Sequence, residues 1–256
     1  MMPLCTQTKD AVTYIVIDRP EVDNRVDRAT CLGIAEALRT ADRDPAVRAI
    51  VLTATGTRFC IGGQVDGAAE GAAMNQIQFA SAFGEVHAAA TGIAKPLIAA
   101  INGDALAGGF SLMAAADLAI AVDDARFGLP ELNAGLFPML ALATSVALLP
   151  RKVLFDLIYN GRLLAAEEAL HFGLISRAVP RDAFEAAVAD QVESLKSRSP
   201  VAIALGRRAY QAMLDMPRPA AISHGGLALV ELLATHDGRN AAASHATGQQ
   251  PAWTGS

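Results

Sequence analysis

The chain has 256 residues, enough for one large domain or one domain with a helical extension. Hydrophobic residues make up 52% and charged residues 18%, with mean hydropathy +0.31; this supplies a sizeable core and excludes a disordered chain. A formal net charge of −5 without a basic block argues against general nucleic-acid binding, so an anionic ligand has to be held locally by backbone N–H groups and a few basic side chains.

Ala11 to Ile17 is an apolar, β-branched run and predicts a strand, followed by turn chemistry at Arg19-Pro20 and Asp23-Asn24. Asp27 to Arg39 fits an amphipathic helix with Cys31, Ile34, Ala35 and Leu38 on one face, ended by Asp44-Pro45. Val47 to Thr53 is a second strand, mostly apolar as a doubly covered strand should be. Gly56 to Asp66 is a glycine-rich loop, and Ala72 to Ala90 is mainly helical. Pro96 to Ile101 predicts a buried strand, Phe110 to Ala116 a small-residue helix, and Leu118 to Val122 another strand. Short helices follow over Ala143–Leu149 and Val153–Tyr159, then a helix from Ala165 to Phe172 that stops at Gly173 and gives way to a strand, Leu174 to Val179. Beyond Pro180 only helices are expected. Phe184, Val188, Val192 and Leu195 mark one face, Ser199-Pro200 starts a helix running to Met213, and Ala220 to Ala234 forms another. Gly248 to Ser256 reads as frayed. Early alternation followed by helices alone is an α/β core, residues 1–195, with a helical C-terminal region, residues 196–256. That region has apolar faces and little core of its own, so it packs either on another subunit or back on its own core.

Cys5, Cys31 and Cys60 form no paired motif, and the N-terminal segment has no signal-peptide apolar region, so reduced thiols and a cytoplasmic location are expected. The five histidines make no metal-ligand spacing, and no metal is expected. Leu132 to Pro150 lacks charge and is long enough to suggest a membrane span, but Asn133, Gly135 and Pro138 interrupt it, so no membrane association is expected and a buried helix with its entry loop explains it better.

Two glycine-rich loops directly follow strands: Gly56 to Asp66, and Asn102-Gly103-Asp104 leading into Ala107-Gly108-Gly109. Adjacent glycines before a helix leave bare N–H groups at the positive end of its dipole, where developing negative charge is stabilised. A single Gly-Gly is also ordinary turn punctuation. One carboxylate, Glu131, sits in the turn Phe127-Gly128-Leu129-Pro130-Glu131.

These residues carry a resemblance. Ile17-Asp18-Arg19-Pro20, Phe59-Cys60-Ile61-Gly62-Gly63, Asn102-Gly103 with Ala107-Gly108-Gly109, Phe127 to Glu131, and Glu168-Ala169-Leu170 with Gly173-Leu174, in this order, resemble the enoyl-CoA hydratase/isomerase (crotonase) family from about Ala11 to the C-terminal helices. The resemblance implies a spiral of β-β-α units, a helical C-terminal region used to form a homotrimer or a dimer of trimers, and an acyl-CoA thioester as ligand, with coenzyme A part of the substrate rather than a cofactor. It implies an oxyanion hole made by the N–H groups of Gly63 and Gly108, whose thioester enolate each donor stabilises by roughly 3 kcal/mol. Asn24 and Arg25 fall where the family binds the adenine end of CoA, partly through backbone. Arg58 is a candidate phosphate contact and equally a solvated charge. Gln64 stands where members often have Asp, with Asp66 two further on.

Family hydratases carry a glutamate in the first turn after the Gly-Gly and another at the later Pro-Glu turn. Glu131 matches the second; Ser111 occupies the place of the first. A serine hydroxyl can hold water but is too weakly acidic to serve as a carboxylate base. A single base at Glu131 suffices for double-bond isomerisation, with the proton removed at C2 and returned at C4. Hydration, or hydration coupled to cleavage, with water held by Glu131 and Ser111 is the alternative, and an acyl-CoA-binding protein with little turnover is the reading from another class. Cys60 reads as a small buried residue, with no histidine beside it in the motif to activate it. Phe83, Phe137, Met139 and Leu140 read first as core and second as acyl-pocket wall.

Overall fold

The computed structural model describes residues 3–64, 72–247 and 251–256. An edge strand β1 (Leu4–Lys9) pairs antiparallel with β2 (Val12–Ile17), whose last residues lead into the Arg19–Asp27 turn. Helix α1 (Arg28–Arg43) starts at Asp27, which accepts from Thr30 N (2.8 Å) and Thr30 Oγ1 (2.7 Å), and buries the predicted Cys31, Ile34, Ala35 and Leu38 face.

A repeated unit then begins. Strand β3 (Ala49–Ala54) joins one sheet, β4 (Arg58–Cys60) joins a second, and helix α2 (Ala72–Gly92) closes the turn of the spiral. Strand β5 (Leu97–Ile101), strand β6 (Asp104–Leu106) and helix α3 (Gly108–Ala114) repeat it. Strands β7 (Leu118–Val122) and β8 (Arg126–Gly128) start a third round, followed by a 3-10 turn (Pro130–Ala134), α4 (Met139–Ser145) and α5 (Arg151–Tyr159). Strand β9 (Leu163–Ala165), α6 (Ala166–His171), β10 (Arg177–Val179) and α7 (Phe184–Lys196) complete the core; α8 (Pro200–Met213), α9 (Arg218–Ala234) and α10 (His236–Thr247) form the C-terminal region. Among the described residues the first sheet runs β1-β2-β3-β5-β7-β10, parallel from β2 onward, and the second runs β4-β6-β8-β9 with only β9 antiparallel.

The first sheet is covered on both faces, as its apolar strands predict. Ile50, Leu52 and Ala99 join the main core with α1 and α2, while Val51, Ile98 and Ile120 face Val188 and Val192 of α7. Ser199 caps α8 through its Oγ, which accepts from Ala202 N at 3.1 Å.

Three expectations need correction. The helix expected over Ala143–Leu149 lies four residues earlier, starting after Pro138, whose restricted φ places it at the N-cap. The strand expected over Leu174–Val179 is confined to Arg177–Val179, because the N–H groups of Leu174 and Ile175 still bond back to Ala169 O beside Gly173 at φ +73°. Of the tail expected to fray, 248–250 lie outside the described residues, but 251–256 are tied down. Asp237 N–H donates to Ser256 O (3.0 Å), Trp253 Nε1–H to Ser197 O (2.9 Å) and Thr254 N–H to the Asp237 carboxylate (2.8 Å). No described helix is long and apolar enough to cross a membrane.

Candidate active site

Parallel pairing brings the two glycine loops together. Val26 N–H donates to Gly62 O (3.0 Å) and Gln64 N–H to Val26 O (2.8 Å), forming a bridge in which the intervening Gly63 N–H faces the opposite way. On that side stands Gly108, the first residue of α3: a methyl added to it would lie 3.3 Å from Gly63 N. Among the described residues neither N–H donates to a backbone carbonyl. Ala107, just before, holds φ 52° and ψ −119°, a strained conformation for a residue with a side chain, and Ala107 N–H donates to Gly128 O (2.9 Å) to anchor it. Gly109 serves packing instead. A side chain there would overlap the Cys60 carbonyl, so its absence lets α3 close on β4.

Both glycines line a cavity of about 660 Å³ that also takes in Arg25, Gln64, Phe79, Phe83, Ala107, Glu131, Phe137, Met139, Leu140 and Ala141. Glu131 enters on the 3-10 turn, with Leu136 N–H closing back on its carbonyl at 3.0 Å. Its Oε2 is buried with no hydrogen-bond partner among the described residues. Burial pushes its carboxyl above the ordinary glutamate range. A carboxylate oxygen without a partner, in the same apolar cavity as two free N–H groups, can exchange a proton with an acyl chain whose carbonyl the N–H groups hold.

The other expected residues separate. Arg25 and Gln64 line the cavity, and Gln64 Oε1 accepts from Arg19 Nη2 at 2.7 Å. Asn24 is buried and its side chain is used internally: Oδ1 accepts from Arg19 N (2.9 Å), and Nδ2 donates to Thr55 O and Arg58 O (both 2.7 Å), leaving only backbone for a ligand. Arg58 is not in the cavity wall; it pairs with Asp104 and with Asp23 (3.2 Å), tying β4 to β6 and to the Asp23 turn. Asp66 lies outside the described residues. Cys60 is fully buried, and burial pushes its thiol up to about 11, which fits an inert core residue. Phe83, Phe137, Met139 and Leu140 all line the cavity, and Met139, 70% exposed, is no core residue.

Ser111 is brought to the first turn of α3 but does not line the cavity. It is fully buried, with its Oγ 3.1 Å from His87 Nε2 and 2.9 Å from Thr144 Oγ1. Sequence pattern does not reveal His87 and Thr144, because they sit on α2 and α4, distant in the chain, and a scattered histidine carries no spacing signal. Among the described residues no cluster of His, Cys, Asp or Glu could hold a metal ion.

Comparison with known proteins finds matches over nearly the whole chain. The family model described as enoyl-CoA hydratase/isomerase matches residues 7–256. A carnitinyl-CoA dehydratase of Citrobacter koseri is 31% identical over 257 residues, 95% of each chain, and that of Salmonella enteritidis is 32% identical over 80% of this chain and 79% of its own. Among solved structures, human enoyl Coenzyme A hydratase domain-containing protein 3 superposes with TM-score 0.95 at 25% identity, over 98% of this chain and all of its own. An enoyl-CoA hydratase of Mycobacterium smegmatis gives 0.93 at 25%, over 98% of each chain. The fold is therefore the crotonase spiral with its helical C-terminal region.

Proposed function

Given that the chain belongs to the enoyl-CoA hydratase/isomerase family, we propose that it isomerises an enoyl-CoA through a single carboxylate. Glu131 removes a proton from C2 of a 3-enoyl thioester, the electrons pass to the thioester oxygen, and the N–H groups of Gly63 and Gly108 hold the resulting enolate. Glu131 then returns the proton at C4, leaving the 2-enoyl ester. The observation that carries this reading is Glu131 Oε2, buried and unpartnered in the cavity that the two glycines line. Arg25 and Gln64 at the cavity wall support a CoA site there, with Asn24 contributing backbone only; Arg58, held by two aspartates, contributes little. We place the enzyme in the cytoplasm, in keeping with its free cysteines. We also infer a trimer or dimer of trimers, supported by Ile222, Leu227, Leu229 and Val230 exposed on α9; sedimentation at a monomer's rate would overturn that part.

A second reading is reversible hydration, or hydration coupled to cleavage, favoured by relatives named carnitinyl-CoA dehydratase. One experiment separates the two. Purified protein and Glu131→Gln are given 2-enoyl-, 3-enoyl-, aromatic enoyl- and carnitinyl-CoA esters in deuterated water, with products read by mass spectrometry and NMR. Deuterium at C2 or C4 with a moved double bond and no water gained is isomerisation; gain or loss of water is the second reading. Binding without any product would replace both with an acyl-CoA-binding protein.

A further inference from the structure

We propose that Arg19 is a positioning residue for the oxyanion hole, aiming the Gly63 N–H by clamping the segment that bridges to it. This rests on the reading of the Gly63 and Gly108 N–H groups as that hole. Gly63 has no side chain to hold its peptide in one orientation, and glycine backbone turns more freely than that of any other residue. Its orientation therefore depends on its two neighbours, and Val26 holds both. Val26 N–H donates to Gly62 O (3.0 Å), and Val26 O accepts from Gln64 N–H (2.8 Å). Val26 itself is apolar and fully buried, so the polar groups that fix this segment lie on either side of it.

Arg19 takes hold of both sides. Its Nη1 donates to Arg25 O at 2.8 Å, the carbonyl before Val26, and pairs with Asp27 Oδ2 at 2.9 Å, the side chain after it. Its Nη2 donates to Gln64 Oε1 at 2.7 Å, on the residue after Gly63. The guanidinium thus brackets Val26 as Val26 brackets Gly63. A planar fork fixes three acceptors relative to one another, which a single ammonium group cannot do. The base of the fork is fixed as well. Arg19 N–H donates to Asn24 Oδ1 and Asn24 N–H to Arg19 O, both at 2.9 Å, and Asn24 Nδ2 ties that turn to Thr55 O and Arg58 O. The other Asp27 oxygen caps α1 through Thr30. Arg19 stands outside the cavity wall with its side chain 12% exposed, so its effect on the chemistry runs through Gly63. An oxyanion donor works through its distance and angle, and a small misplacement weakens it steeply.

The test compares wild type, Arg19→Gln and Arg19→Lys. Each is given a saturated acyl-CoA ester labelled with ¹³C at the thioester carbonyl. Infrared difference spectroscopy reads the C=O stretch of the bound ester, and hydrogen exchange at C2 in deuterated water reads the rate of enolate formation. Binding to wild type should lower the stretch, because the two N–H groups polarise the carbonyl. Both variants should lose about half of that lowering or more and exchange C2 hydrogen about 10- to 100-fold more slowly, with Kd for the ester within about threefold. A folded Arg19→Gln with the wild-type shift and exchange rate overturns the proposal, whatever it loses in urea unfolding, since an arginine with a merely structural role changes stability alone. Wild-type behaviour in Arg19→Lys also overturns it, because charge without the fork then suffices. A wild type that binds the ester without lowering the stretch overturns the oxyanion reading and the proposal with it. Should Arg19→Gln fail to fold, Gln64→Met decides. It removes the Nη2 arm but keeps the side chain's length and the Val26 bridge: a reduced carbonyl shift supports the clamp, and an unchanged one overturns it.

Discussion

Gly108 and Gly109 are neighbours with separate duties, and alanine at each should fail differently. At Gly109 the new methyl meets the Cys60 carbonyl, so α3 must move off β4, and we expect a loss of about 3 kcal/mol in urea unfolding. At Gly108 the nearest atom is Gly63 N at 3.3 Å. Folding should survive there, but the methyl stands over the N–H pair of the proposed oxyanion hole, and kcat should fall by about 100-fold or more, the typical cost of one oxyanion donor. Glu131 makes a prediction with a sign. Its carboxyl titrates above the ordinary glutamate range because burial disfavours the anion. The protonated folded state is thus favoured at low pH, and that stability is lost as pH rises through the folded value. Glu131→Gln should therefore be more stable than wild type at pH 8, with the difference vanishing below about pH 4. Activity should behave oppositely: the proposed isomerase base works only when ionised, so the acid limb of kcat/KM for isomerisation should lie above an ordinary glutamate value and disappear in the variant.

At the level of elements, the sequence exposes the first sheet far better than the second. Strands β3, β5 and β7 are five- or six-residue apolar runs, and their composition announces burial on both faces. Strands β4, β6, β8 and β9 are three residues each, too short for a period of two to show, and are held by loops and by Arg58–Asp104 rather than by their own pattern. The site divides the same way. Gly63, Gly108 and Glu131 sit in local motifs; the Ser111–His87–Thr144 chain joins three helices and has no local signal. Nor does the spacing reveal how α8 is attached. Arg207 reaches from α8 to Asp117 (2.9 and 3.0 Å), to Ala90 O (3.0 Å) and to Ile93 O, with its side chain only 10% exposed. Removing it strips partners from a half-buried carboxylate and two helix-end carbonyls. Arg207→Ala should lose about 2–3 kcal/mol, with hydrogen exchange accelerating first in α8 and α9.

Across the whole molecule, Asp237 is where one of the C-terminal helices is locked to its neighbours. It is buried at the start of α10 and receives Ser199 Oγ–H (2.7 Å), Thr254 N–H (2.8 Å), Thr254 Oγ1–H (3.0 Å) and Gly255 N–H (3.3 Å). The same Ser199 caps α8, so one carboxylate couples α8, α10 and the segment 251–256. Burial raises its pKa, but these donors outweigh burial and hold it below the usual carboxylate range. A depressed folded value contributes stability above the unfolded one, and the contribution is lost as pH falls through the folded value. Asp237→Asn turns one acceptor oxygen into a donor facing donors, and should cost about 2 kcal/mol at pH 7 in urea unfolding. The gap should close as the wild type is titrated below about pH 4, because protonation removes from the wild type what the substitution has already removed from the variant. A gap that stayed constant to pH 2 would mean that the carboxylate's charge contributes nothing to the lock and that α10 is held by its packing against α8 and α9 alone.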